Sequence, residues 1–253
     1  MVYSEAGGVT KTTTAVSLAM CSALAGRRTV LIDLDPRAAA SEWLGVEPAQ
    51  SGWHAGAILG SDDAAEWIAD LAVPSEWCAD LLAVPSDRTV SNREEGDTGQ
   101  GSELRLRRAV AALDAELIVL DLPNRQGGPI TRNALNAADR VVYAASPTPD
   151  GVSGVDGARE TVHRFQAARR EIGAPEGITE AGIVVGAYPE VVPSRVHKRG
   201  VAELEESGLL LRPIVPHRAI VQECRASGRW YGTYEKGKPV MVAYSEILSQ
   251  VIA

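Results

Sequence analysis

Ser4-Glu5-Ala6-Gly7-Gly8-Val9-Thr10-Lys11-Thr12-Thr13, close behind the apolar start Met1-Val2-Tyr3, decides how this chain is read. A glycine pair lets backbone N–H groups approach a polyphosphate, Lys11 brings a point charge, and the hydroxyl of Thr12 suits Mg²⁺. The stretch reads as a phosphate-binding loop, and an irregular one. The pattern G-x-x-x-x-G-K-[ST] places glycine before the lysine, where this chain has Thr10. Residues 12–25 follow as a helix, with Ala15, Leu18, Ala19, Ala23 and Leu24 apolar and Gly26 as the stop. Residues 29–32 form a compact apolar run that reads as a buried parallel strand, completing a strand–loop–helix–strand unit.

Working outward, the alternation continues. Residues 80–85, 116–121, 140–145 and 182–186 read as strands, and residues 209–216 as strand and turn. Residues 38–44, 104–113, 154–171, 201–206 and 240–251 read as helices. This predicts an α/β chain, a three-layer arrangement with a mostly parallel twisted sheet and helices on both faces. The length of 253 residues fits a single domain spanning 1–253. Residues 86–102 are polar and glycine-containing and read as an exposed loop.

Composition narrows the function classes. A hydrophobic share of 45% with 23% charged residues is that of an ordinary soluble domain, and the net charge of −8 excludes a uniformly basic surface but not a local basic patch. Cys21, Cys78 and Cys224 are isolated and form no C-x-x-C, which argues against a zinc site or an iron–sulfur scaffold and for a reduced, cytoplasmic setting. No signal peptide and no run of about 18 apolar residues is visible, so no membrane span is expected.

Phosphate chemistry at such a loop needs a second carboxylate at the end of another apolar strand, to hold Mg²⁺ through water. Asp121, after Leu117-Ile118-Val119-Leu120, fits that need. Asp33 and Asp35 end the strand next along, where strand C-termini converge on the ligand crevice of a doubly wound sheet. Two carboxylates there can orient a water and shape a metal shell, or serve as a strand-end cap and the start of a turn at Pro36.

Three segments together resemble one family. Gly7-Gly8-Val9-Thr10-Lys11-Thr12-Thr13, Leu31-Ile32-Asp33-Leu34-Asp35-Pro36 and Ile118-Val119-Leu120-Asp121-Leu122-Pro123 are similar, in order and spacing, to the ParA/MinD group of deviant phosphate-loop ATPases. Asn133 to Val141, Ile214-Val215-Pro216-His217-Arg218 and Ala243 to Ile247 extend the likeness over nearly the whole chain. The resemblance implies the P-loop NTPase fold, ATP and Mg²⁺ as cofactors, and the following roles. Lys11 contacts the β- and γ-phosphates. Gly7, Gly8, Val9, Thr10, Thr12 and Thr13 hold the phosphate chain. Thr12, Asp33 and Asp121 serve the metal, Asp35 positions the hydrolytic water, and Pro216 and His217 border the adenine. It also implies an ATP-closed homodimer that reopens on hydrolysis, acting in plasmid or chromosome partition with non-specific DNA and a ParB-like adaptor protein.

The departures are informative. The family's signature lysine before the glycine pair is Ala6 here, which removes one charge from the transition state and predicts slow hydrolysis. Arg37 stands where the family has glutamine, either to restore a positive charge at the phosphates or as a surface arginine paired to a carboxylate. Asn124 replaces a second proline, and Gly186 lies near the place of an adenine-reading asparagine.

Four functions compete. A partition ATPase needs a DNA surface, for which Arg195, Lys198 and Arg199, then Arg218, Arg225 and Arg229, are the basic candidates, with His197 among them; a solvated helix face is the alternative. The loop begins at once, so no N-terminal DNA-reading domain is expected. A membrane switch of the MinD type needs a basic amphipathic C-terminal helix, and residues 244–253 hold no Lys or Arg. A nucleotide-binding scaffold with little catalysis is favoured by Ala6 and Thr10. A metabolic ligase or metal-cluster carrier lacks a supporting motif.

Overall fold

The computed structural model describes residues 1–94, 99–175 and 177–253. Seven strands make one sheet: β1 (Val2–Tyr3), β2 (Thr29–Asp33), β3 (Val73–Pro74), β4 (Leu81–Val84), β5 (Leu117–Asp121), β6 (Arg140–Ala145) and β7 (Thr179–Val185), in the order β3-β4-β2-β5-β1-β6-β7. Every pairing is parallel except that of the edge strand β3 with β4. Ten α-helices connect them among the described residues: α1 (Lys11–Leu24), α2 (Ala39–Leu44), α3 (Ala55–Leu59), α4 (Ile68–Leu71), α5 (Arg105–Val110), α6 (Gly128–Ala137), α7 (Pro149–Glu171), α8 (Arg195–Glu206), α9 (Ala219–Ala226) and α10 (Lys238–Ile252).

Strand periodicity builds the three layers. Successive side chains point to opposite faces. Val30 and Ile32, Leu120, Tyr143 and Ile183 join the core under α3 to α7, with Leu204 of α8 reaching it too. Leu31, Val119, Val142 and Val184 join the core under α1, α2 and α10. Because both faces are covered, the central strands read as continuous apolar runs rather than as alternating ones.

The two-residue strand β1 pairs Val2 with Asp121 on one side, and Val2 and Tyr3 with Val142 and Tyr143 on the other. Beneath it β5 and β6 continue, and with Met1, Leu248 and Val251 they border an apolar groove of about 500 Å³ at the end of the sheet away from the loop.

Several expectations need correction. Residues 209–216 do not form a strand. They pair with the sheet edge through isolated parallel bridges, Ile183 with Leu210 and Tyr188 with Pro216, in a segment where Pro213 and Pro216 have no N–H for a ladder. The helix expected over 104–113 is a 3₁₀ turn, Ser102–Leu104, followed by the short α5. Residues 86–102 are not an exposed loop throughout. Arg88–Glu94 coil as a 3₁₀ segment with Val90 buried, Arg93 Nε donates to the Gly56 carbonyl at 2.9 Å, and Glu94 lies against Arg125 at 3.3 Å. Residues 95–98 of that stretch lie outside the described residues. Helix α8 begins six residues earlier than its apolar pattern suggests, because Ser194 and His197 form a reciprocal cap at its start.

Candidate nucleotide site

The loop between β1 and α1 takes its shape from two left-handed residues, Gly8 at φ 73° and Thr10 at φ 68°. Glycine adopts this region freely, whereas a β-branched threonine is strained in it. The first half of the loop is fastened to α7. Glu5 N donates to the Gly154 carbonyl at 3.1 Å, and Glu5 Oε1 accepts from the hydroxyls of Thr161 (2.8 Å) and Tyr3 (3.1 Å). Glu5 thus points away from the phosphate path, onto α7. Ala6 is turned the same way: a Cβ placed on Gly154 would sit 2.4 Å from the Cβ of Ala6.

Lys11 opens α1 and is almost fully buried. Its Nζ donates to the Ala6 carbonyl at 2.8 Å, which bends the side chain back over the loop. Burial holds its ammonium below the ordinary value, Asp121 and Asp35 pull in the opposite sense, and Arg37 adds to the lowering. Lys11, the two aspartates and Arg37 therefore share one electrostatic neighbourhood.

The carboxylates arrive from the ends of adjacent strands. Asp33 pairs in register with Asp121 across β2 and β5. Asp33 Oδ2 accepts from the backbone and hydroxyl of Ser41, at 2.9 and 2.7 Å, and Oδ1 accepts from Asp35 N at 3.1 Å. The strand-cap reading of Asp33 is thereby met within the protein, since the residue ties β2 to α2. Asp35 Oδ1 accepts from Arg37 N at 2.9 Å and fixes the turn that follows. Asp121 is different. It is fully buried, and neither carboxylate oxygen has a hydrogen-bond partner. Burial raises its pKa well above the ordinary range, the Asp33 carboxylate raises it further, and the nearby Thr12 works the other way without closing a hydrogen bond.

A buried, unpartnered carboxylate beside a threonine hydroxyl is a donor set suited to Mg²⁺, which keeps several waters and takes few protein ligands. No group of three His, Cys, Asp or Glu side chains is placed to hold a metal ion among the described residues.

Without a cation the two carboxyls set a pH dependence. Burial lifts Asp33 to about 6, against the hydrogen bonds from Ser41 and Asp35. A carboxyl whose pKa is higher in the folded chain stabilises that state when protonated; the contribution is complete below about pH 4 and is lost as the pH rises through the folded value. The nucleotide-free protein should therefore melt at a lower temperature at pH 8 than at pH 5.5. Asp121→Asn removes the opposing charge and should flatten that slope. Melting curves in EDTA check this, and an unchanged slope in the variant would contradict it.

The remaining expected residues lie around this core. Arg37 is exposed, with its backbone N donating to Asp35 Oδ1. Pro216 bridges to Tyr188 beyond the end of β7, and His217 N donates to the Tyr188 carbonyl at 2.7 Å. Asn124 lies against Gly7, whose added Cβ would be 3.3 Å from its amide nitrogen. The basic candidates are divided between the start of α8 and the region of α9. Arg195, Lys198 and Arg199 lie together at the start of α8, with Arg199 bonded to Glu203 at 2.7 Å. Arg218 is tied to Glu190 at 2.6 Å in the loop before α8. Arg225 and Arg229 belong to α9 and the turn after it, with the Arg229 carbonyl accepting from Trp43. Sequence reasoning missed Ser41, which holds Asp33, and the glycines of α7 on which the loop rests.

A phosphate loop at a helix N-terminus, flanked by strand-end carboxylates of a parallel sheet, defines a P-loop nucleotide-binding protein. A family model described as an AAA domain (AAA_31) matches residues 1–172, and the chain belongs to that family, as a P-loop ATPase of the ParA/MinD kind. Among curated relatives it is 28% identical over 252 residues to the chromosome-partitioning ATPase Soj of Thermus thermophilus, covering 99% of this chain and 93% of that one. It is 32% identical over 168 residues to the sporulation initiation inhibitor protein Soj of Bacillus subtilis, covering 65% and 64%. Among solved structures, apo McdA from Cyanothece superposes with a TM-score of 0.82 at 21% identity, over 100% of this chain and 98% of that one. A Borrelia burgdorferi plasmid partition protein bound to AMPPNP superposes with a TM-score of 0.78 at 19% identity, over 99% and 96%. No helix among the described residues is long and apolar enough to cross a membrane.

Proposed function

We propose that this chain is a ParA-like ATP switch, which binds ATP·Mg²⁺ at the loop, closes a sandwich homodimer and hydrolyses ATP slowly in a plasmid- or chromosome-partitioning role. The observation that carries the reading is the convergence of Lys11, Asp33, Asp35 and Asp121, from one helix start and two strand ends, around a buried carboxylate with no partner of its own. Lys11 and the loop amides hold the phosphates. Thr12, with Asp33 and Asp121 behind it, holds Mg²⁺, which supplies charge neutralisation at the phosphates when bound. Asp35 positions the attacking water, and Arg37 adds positive charge beside Lys11. The Thermus thermophilus relative, named as a chromosome-partitioning ATPase, supports the cellular role.

The slow rate rests on residue 6. An alanine turned onto Gly154 offers no charge to a neighbouring nucleotide, and loss of one such donor lowers the rate by about 10²–10³. The same observation favours a second reading, a nucleotide-binding scaffold that uses ATP only to select a conformation. Turnover assays with and without DNA separate the two: measurable, DNA- or adaptor-stimulated phosphate release supports the switch, and none above background supports the scaffold.

DNA binding in this account is non-specific and runs through the start of α8, where Arg195 and Lys198 are exposed. Replacing both by Glu should weaken duplex binding uniformly across sequences and lower the slope of log K against log salt by about two, one per lost phosphate contact. A titration in which the double variant keeps the wild-type slope would place the DNA surface elsewhere. The adaptor is ParB-like by family; the protein carries no membrane-binding role in this reading, and its place is cytoplasmic, on the nucleoid when ATP-bound.

A further inference from the structure

Strand β1 lies inside the sheet, yet it has two residues where its neighbours β5 and β6 have five and six. Met1 already keeps the parallel pattern: its N donates to the Arg140 carbonyl at 2.7 Å, and its carbonyl accepts from Val142 N at 2.9 Å. Below Met1, the apolar groove of about 500 Å³ separates the two neighbours. The backbone of β5 faces this groove. In a parallel ladder, alternate residues address alternate neighbours. Leu117 N donates to the Arg28 carbonyl at 3.4 Å, and the Asp121 carbonyl accepts from Leu34 N at 2.9 Å, so the odd-numbered residues of β5 face β2. Ile118 and Leu120 direct their N–H and C=O to the other side, where β1 pairs at Asp121 and goes no lower among the described residues.

Register fixes how long a strand the groove takes. Val2 stands opposite Asp121, so Leu117, four positions earlier and the first residue of β5, stands opposite the third residue before Met1. Side-chain alternation fixes its chemistry. Met1 and Tyr3 belong to the core under α3 to α7, and Val2 to the core under α1, α2 and α10. Continued downward, the strand meets Leu18, Leu248 and Val251 on the face of Val2, and Val110 and Ala137 on the face of Met1. A strand covered by apolar groups on both faces is apolar throughout. Direction fixes its source. A parallel strand in the groove runs toward Met1 and ends one peptide bond from its nitrogen. A separate peptide would bring a terminal carboxylate into this buried place, and an acyl chain would give the backbone of Ile118 and Leu120 nothing to bond. Burial lowers the Met1 amine to about 5, against the pull of Asp139. A peptide N–H in its place has no charge to bury and keeps the bond to Arg140. We infer that the groove is a strand site and that its occupant is a segment of the same polypeptide: at least three apolar residues, directly preceding Met1, which complete β1 between β5 and β6. The inference is independent of the nucleotide reading.

The first measurement is the intact mass, with N-terminal sequencing, of the protein isolated from its own cells. The mass should exceed the 26.8 kDa of this chain by at least three residues, and those directly before Met1 should be apolar. A native chain that starts at Met1 or Val2, or that carries polar residues there, would overturn the inference. The second measurement tests the groove itself on the 253-residue chain, with either Met-Val-Ile-Val or Met-Asp-Ser-Asp placed before Met1. The apolar extension should raise the Tm by about 5–10 °C and slow deuterium exchange at the Leu120 amide about tenfold or more. The polar extension should do neither. Equal Tm and equal exchange in the two extended proteins would overturn the strand site, whatever the native start.

Discussion

Lys11→Ala should remove ATP·Mg²⁺ binding at micromolar nucleotide and lower residual turnover by about 10²–10³. Few substitutions here have a larger expected effect, because the lysine is nearly fully buried and shares the field of Asp121 and Asp35. Its bond to the Ala6 carbonyl also stitches the two ends of the loop together. Lys11→Arg should not restore binding, since a planar guanidinium does not fit the space of a compact ammonium folded over the loop. Equilibrium binding of a fluorescent ATP analogue, with circular dichroism to verify folding, checks the expectation. A well-folded Lys11→Ala protein with wild-type affinity would remove the loop from the account.

Asp35→Ala should separate binding from chemistry. The carboxylate lies at the crest, mostly buried, with one oxygen tied to Arg37 N, so that it can orient a water without being a primary phosphate contact. Its loss should lower phosphate release by about 10²–10⁴, the range of a positioned general base, and leave the Kd for ATP within about threefold. Asp35→Asn should recover little of the rate. If affinity and rate fall together in proportion, Asp35 is part of the binding scaffold and the water is positioned elsewhere.

The parts of the fold written in local pattern were legible from the sequence. The apolar runs of β2, β5 and β6 are buried on both faces and read directly as parallel strands. The loop was legible because its glycines and lysine are adjacent in the chain. What escaped depends on contacts between distant residues. Helix α6 begins at Gly128-Pro129, poor helix formers that announce nothing locally, and it packs against α5. The 3₁₀ segment around Val90 has one apolar residue to announce it, and it is held by an arginine reaching back 37 residues to Gly56. The site followed the same division. Asp33, Asp35 and Asp121 were visible as strand-end carboxylates, but that Asp33 is satisfied by Ser41 and Asp121 by nothing is a property of three-dimensional packing alone. Thr10 stood out in the sequence as an anomaly; that its side chain packs against Gly186, 176 residues away, shows only in the fold.

The relation between Ala6 and catalysis is the point on which the switch and scaffold readings part. A loop pinned to α7 through Glu5 and Gly154 keeps its phosphate amides in place whether or not a charge is offered across a dimer. In the proposed switch, binding rests on the loop's own residues, and the alanine at position 6 bears on the rate alone.

Nucleotide-driven dimerisation is the central claim, and size-exclusion chromatography with light scattering on Asp35→Ala tests it most directly. The account predicts a monomer without nucleotide and with ADP·Mg²⁺, and a dimer of twice the 26.8 kDa chain mass with ATP·Mg²⁺, held closed because hydrolysis is blocked. A protein that binds ATP and elutes as a monomer under all three conditions would contradict the sandwich mechanism and leave the scaffold reading in its place.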